Sequence, residues 1–138
     1  MRIVLCAVLL AAATAANAAD WQLVSQNLSA GDSVKDYVDA STLRPGGQSR
    51  VRYAHMTRYS PPRQSRGLEL SARRTEETVD CMARTVTVDS VVYFDDDGRP
   101  LGELRPKSVS QRIAPNSAAD AIRQFVCPTG SQRSSSSY

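Results

Sequence analysis

Cys81, in VDCMAR, and Cys127, in RQFVC, carry the clearest chemical message in this chain. They lie downstream of a segment built like an export signal, and a thiol pair delivered to an oxidising compartment is normally a disulfide. The competing chemistry is two free thiols that bind a metal or do redox work. That reading needs a CxxC spacing or further ligands, and the chain offers only one histidine, His55. The residues therefore predict a Cys81–Cys127 bridge, no metal site and no cofactor.

Other reactive side chains point less far. Catalysis needs an acid, base or nucleophile held in a pocket. His55 sits in a strand-like run, where a structural role is expected. Ser71 and Ser90 lack the G-x-S-x-G setting of a hydrolase nucleophile. Asp95, Asp96, Asp97 and Gly98 suggest calcium, but an EF-hand register would put Tyr93 and Leu104 at ligand positions, so a solvated turn is expected. Glu76, Glu77 and Asp80 read as surface charge. No catalytic residue is expected.

The arginines suggest binding instead. Arg50, Arg52 and Arg58 share one face of a strand, and Arg73 is expected to join them from a neighbouring strand. Together they would make a basic patch suited to acidic protein segments or sulfated glycans. The plain alternative is a solvated sheet face with arginine stems covering apolar atoms. Net charge is only +3, from 17 Lys and Arg against 14 Asp and Glu, too little to argue for nucleic acid. Lys35 and Lys107 are the lysines, so planar guanidinium contacts dominate, a preference that a GC-rich genome also produces.

The elements that position these residues can be read from the pattern. Arg2, the apolar run at 3–13 and Ala16-Asn17-Ala18 form a signal peptide over residues 1–18, with cleavage expected after Ala18. The run falls short of the ~20 residues that span a bilayer, and no later stretch reaches that length, so no membrane span is expected. Cys6 precedes most of the apolar run and is expected to leave with the signal, so no lipid anchor is expected. About 120 residues remain, the size of one domain able to bury a single core.

Period-two alternation dominates the mature chain. Short strands are expected at Trp21–Ser25 and Val34–Asp39, then a turn at Pro45-Gly46-Gly47. The clearest strand is Arg50–Tyr59, with Val51, Tyr53, Thr57 and Tyr59 facing inward. Pro61 and Pro62 are expected to end it and open a loop through Gly67, since neither can donate a ladder hydrogen bond. Strands at 68–76 and 84–94 should pair antiparallel, with weaker candidates at Leu101–Leu104 and Ser108–Ile113. One helix comes last: Asn116-Ser117 caps it, Asp120 sits in its first turn, and Ala118, Ala121, Ile122 and Phe125 form an apolar stripe. It should lie across one face of the sheet. Pro128 stops it, and residues 129–138 form a Ser-rich tail expected to be disordered.

The fold class expected is α+β: a single antiparallel β-sheet with a C-terminal α-helix packed on one face and one disulfide, spanning residues 19–128. The bridge would close a loop of about 47 residues, worth on the order of 4 kcal/mol in the chain-entropy model.

Trp21, DYVDASTLR, an Arg-rich strand ending YSPP, LSARRTEETVDC and IAPNSAADAIRQFVC succeed one another in an order that resembles the surface-adhesin protein E family of Gram-negative bacteria. The resemblance runs from Trp21 to Cys127. It implies a small exported domain of sheet, helix and disulfide, and a noncatalytic role binding host or extracellular matrix proteins. Some members are outer-membrane lipoproteins, and this signal lacks a cysteine placed for that anchor. The expected location is therefore the periplasm, the cell surface or the medium. The expected protein is a monomer or weak oligomer, and the alternative role is a periplasmic structural or inhibitory module.

Overall fold

The structure, a computed structural model, describes residues 18–128. The expected signal segment up to Asn17 and the Ser-rich tail lie outside the described residues.

Seven strands and one helix occur in chain order: β1 (Trp21–Ser29), β2 (Asp32–Pro45), β3 (Arg50–Ser65), β4 (Leu68–Asp80), β5 (Thr85–Phe94), β6 (Pro100–Leu104), β7 (Ser110–Arg112) and α1 (Ala118–Val126). They form one antiparallel sheet in the sequential order β1-β2-β3-β4-β5-β6. The short β7 also pairs with β5, through Thr85–Thr87, while β6 takes Val91–Phe94 on the same strand. Sequential neighbours joined by tight turns need no crossover, which suits strands connected by two to five residues.

Alternation along β3 divides the sheet into two faces. Val51, Tyr53, His55 and Thr57 point one way; Arg50, Arg52, Ala54, Met56 and Arg58 point the other. The first set lies beneath the helix. Val38, Tyr53 and Val79 from the sheet meet Ile122 and Val126 from α1, with Ile113 closing the core. Cys81 and Cys127 pack at its margin and are joined, with 5.9 Å between their Cα atoms. The expected bridge therefore ties the end of β4 to the end of α1.

Two local expectations need correction. Pro61 and Pro62 do not end β3, which continues to Ser65. The β3–β4 register jumps from Arg58↔Ala72 to Arg63↔Leu70, so four β3 residues bulge past Ser71. On the other side, pairing with β2 stops at Ser33↔Ser60. The prolines thus occupy a bulge where no ladder donor is required. The hairpin then closes at Arg66-Gly67, both with positive φ, a conformation favoured in two-residue turns.

The helix also presents a different stripe from the one expected. Ile122 and Val126 are buried and Ala119 packs against the core, whereas Ala118 and Phe125 are exposed. The inward face is therefore rotated by one residue. Its N-terminus matches expectation, with the Ser117 hydroxyl accepting from the Asp120 N–H at 3.1 Å. Asp120 does more than favour the helix dipole. Its carboxylate is buried and accepts from the Arg123 guanidinium at 2.8 and 2.9 Å, the Asn116 N–H at 3.1 Å and the Gln124 amide at 3.2 Å.

Candidate functional site

The covered face holds a buried polar cluster that strand alternation assembles from three strands. Val38 stands opposite His55, and His55 opposite Thr75, so Asp36 and Glu77 are its diagonal neighbours on either side. His55 Nε2 lies 2.9 Å from Asp36 Oδ1 and Nδ1 lies 3.0 Å from Glu77 Oε1. The Thr57 hydroxyl donates to the same Asp36 oxygen at 2.9 Å. Glu77 also accepts from the Thr75 hydroxyl at 2.7 Å and from the Tyr53 hydroxyl at 2.8 Å. All six side chains belong to buried residues.

Two carboxylates can only accept, so both ring nitrogens of His55 must donate, and the ring is an imidazolium. Burial alone would lower its pKa; the hydrogen bonds to Asp36 and Glu77, with their negative charges, outweigh burial and raise it to about 9. Burial likewise works to raise Glu77, but His55, then Thr75 and Tyr53, hold it below the usual carboxylate range. Burial and the neighbouring Glu77 charge push the Tyr53 phenol up. With both nitrogens donating and the ring covered, His55 has no lone pair for accepting a proton or binding a metal. The cluster is an electrostatic clamp across β2, β3 and β4. Glu77, expected at the surface, is instead one of its members.

The open face carries the basic side chains. Arg50, Arg52 and Arg58 project from it together, as the alternation predicts. Arg73 does not join them: it stands opposite Thr57 and so leaves the sheet on the helix side. Its neighbour Arg74, opposite Met56, takes the open face. Lys35 joins as well, directly opposite Arg58 on β2. Arg50 lies 3.7 Å from Asp80 and Arg74 3.0 Å from Glu76. Among the described residues, Lys35, Arg52 and Arg58 have no carboxylate within ion-pair distance. Alternation identifies Arg74 and Lys35 only once the strand register is known.

Lys35, Arg58, Ala72 and Phe94 form one continuous row across β2, β3, β4 and β5. These four residues line a cavity of about 680 Å³ whose walls also include Tyr37, Met56, Tyr59, Asp95 and Asp96. Ala72, short and buried between longer neighbours, makes the floor low in the middle. Asp95 is consumed by the β5–β6 turn, accepting the Asp97 and Arg99 N–H groups and the Arg99 guanidinium. The turn expected at this acidic run is present, and the Asp95 carboxylate organises it.

A helix tethered by a disulfide over one side of an antiparallel sheet, with a charged and aromatic side opposite that carries no helix among the described residues, defines a class of small stapled α+β domain. The family model for surface-adhesin protein E matches residues 21–128, most of the chain, and the protein belongs to that family. Membership makes it an adhesin-like surface or exported protein. No curated protein matches the chain. No helix among the described residues is long and apolar enough to cross a membrane.

Proposed function

We propose that this protein binds a host or extracellular protein noncovalently, through the open face of its sheet, and catalyses no reaction. The observation that carries the reading is the set of cations on that face, Lys35, Arg52 and Arg58, which have no carboxylate at ion-pair distance among the described residues, with Lys35 and Arg58 lining a cavity. Like charges directly across two strands cost stability, and a partner's carboxylates would remove that cost. Family membership supports the same direction. Arg50 contributes less, because Asp80 already neutralises part of its charge. Arg73 has no part in the contact, since it projects from the covered side. The domain spans residues 19–128, preceded by a cleaved signal at 1–18, and acts at the cell surface or in the medium.

The test is binding of the mature protein to a panel of purified extracellular-matrix proteins across a salt series, with the double variant R52E/R58E beside the wild type. Binding that weakens with salt and falls about tenfold or more in the double variant supports the proposal. Binding that is absent, or indifferent to both, overturns it. Protease accessibility on intact cells separates this reading from a periplasmic structural or inhibitory module, because only an exposed domain is cut.

A further inference from the structure

On the helix side of the sheet, a cavity of about 550 Å³ opens between the β1–β2 hairpin and the first turns of α1. The hairpin register pairs Ser25 with Asp36 and Asn27 with Val34, so these four residues share the covered face and floor the cavity. Ala118, Asp120 and Ala121 line it from the helix. Asp36 is the member of the clamp whose hydrogen bonding is incomplete. Its Oδ1 takes both the His55 and the Thr57 contacts, whereas Oδ2 accepts no hydrogen bond among the described residues, although the side chain is only 8% exposed. That oxygen is not sealed in the core, because the fully buried side-chain atoms lacking a partner among the described residues are Arg73 Nε and Arg74 Nε. Its remaining access is through the cavity that Asp36 lines. Charge is unbalanced in the same direction: one imidazolium stands between two carboxylates, which leaves the buried cluster with an excess negative charge.

A buried carboxylate is tolerated when a cation or hydrogen-bond donors meet it. No Lys or Arg lies within ion-pair distance of Asp36 among the described residues, and none lines the cavity. Asp120 offers no second free charge, since Arg123 approaches it at 2.8 Å and Arg84 at 3.5 Å. A divalent metal needs several oxygen ligands, and no group of three His, Cys, Asp or Glu placed to hold one occurs among the described residues. A guanidinium pairs best with both oxygens of a carboxylate, and here His55 and Thr57 already occupy one of them. A primary ammonium group needs only one such oxygen. Its two further protons find acceptors in the Ser25 hydroxyl and the Asn27 amide on the same floor, while Val34, Ala118 and Ala121 give a methylene stem apolar walls. We propose that this cavity binds a primary alkylammonium group, carried by a lysine side chain or a free aliphatic amine, with Asp36 Oδ2 as its counter-ion. The site lies on the side of the sheet opposite Lys35, Arg52 and Arg58, so it goes beyond the function proposed above and does not depend on it.

The experiment is a titration of the isotope-labelled mature protein at low salt, followed by amide NMR shifts, with four defined probes. Two carry the ammonium group: n-pentylamine and Nα-acetyl-lysine N-methylamide. The third is the same lysine derivative with its Nε acetylated, and the fourth is Nα-acetyl-arginine N-methylamide. An ammonium probe should shift Ser25, Asn27, Val34, Asp36 and Ala121 saturably at about millimolar concentration, the acetylated probe should not, and the arginine probe should bind about fivefold more weakly. Saturation by n-pentylamine alone supports the proposal with a free amine as the source; saturation by the lysine probe supports it with a lysine side chain. Asp36→Asn should weaken binding about tenfold. Because that change also touches the His55 clamp, Ala121→Met serves beside it: it fills the cavity from the helix, leaves Asp36 and its hydrogen bonds in place, and should weaken binding about tenfold with the urea midpoint nearly unchanged. Shifts that are absent at tens of millimolar amine, centre elsewhere, are as strong with the acetylated or arginine probe, or survive Ala121→Met overturn the inference.

Discussion

Lys35 and Arg58 stand directly opposite each other on β2 and β3, two cations at closest strand spacing with no carboxylate at ion-pair distance among the described residues. Cross-strand like charges cost roughly 0.2–1 kcal/mol. Arg58→Thr should therefore raise unfolding stability by a few tenths of a kcal/mol, measured by urea denaturation, while weakening partner binding. A stability loss above about 1 kcal/mol would show that Arg58 is held by contacts other than those described.

The Cys81–Cys127 bridge closes a segment with a sequence separation of 46. Replacing both cysteines by serine should cost about 2–5 kcal/mol, seen as a lower urea midpoint with the far-UV spectrum of a sheet retained where the protein still folds. Nonreducing intact-mass analysis of the mature protein should find neither Cys81 nor Cys127 free to alkylate.

His55 makes stability depend on pH above neutrality. Its folded pKa, raised from 6.5 to about 9, means that its contribution is fully present below about pH 6.5 and is lost as pH rises through 9. The magnitude is on the order of 3 kcal/mol. Glu77 acts in the opposite sense, its contribution present above its ordinary pKa of 4.5 and lost as pH falls below it. Urea unfolding from pH 4 to 10 should thus show a plateau at about pH 5–6.5 and a decline on each side.

His55→Leu removes the cation hydrogen-bonded to both the buried Asp36 and Glu77 carboxylates. The expected cost is about 3–5 kcal/mol near neutrality. The alkaline decline between pH 6.5 and 9 should disappear with it, because the group whose pKa was raised is gone. A variant that kept the decline would mean that another group titrates there.

At the helix start, Asp120→Ala should destabilise more than Ser117→Ala. Losing the Ser117 cap costs about 1 kcal/mol. Losing Asp120 orphans the Arg123 guanidinium, which is largely covered, and the Asn116 N–H, for about 2–3 kcal/mol. Arg123 lowers the Asp120 pKa, followed by the Asn116 N–H, so this contribution too is present above the ordinary carboxylate pKa and fades in acid. Parallel thermal melts of the two variants at neutral and acid pH check both statements.

Much of this architecture is legible in the residues alone. Alternation from Arg50 to Arg58 sorts that strand into a packed face and a basic face because strand side chains repeat with period two. Two cysteines in an exported chain pair because oxidation leaves them little else, and Ser117 with Asp120 marks a helix start because backbone N–H groups there need acceptors. Other features depend on long-range placement. Periodicity gives the parity of a strand but not the partner it faces, so only the β3–β4 register could send Arg73 to the helix side and only the β2–β3 register could bring Lys35 beside Arg58. Glu77 looks like surface charge until His55, 22 positions away in sequence, supplies the donor that makes its burial tolerable. The phase of the helix is settled in the same way: a short apolar helix offers two overlapping stripes, and contact with Val38, Tyr53 and Val79 selects Ile122 and Val126 over Phe125.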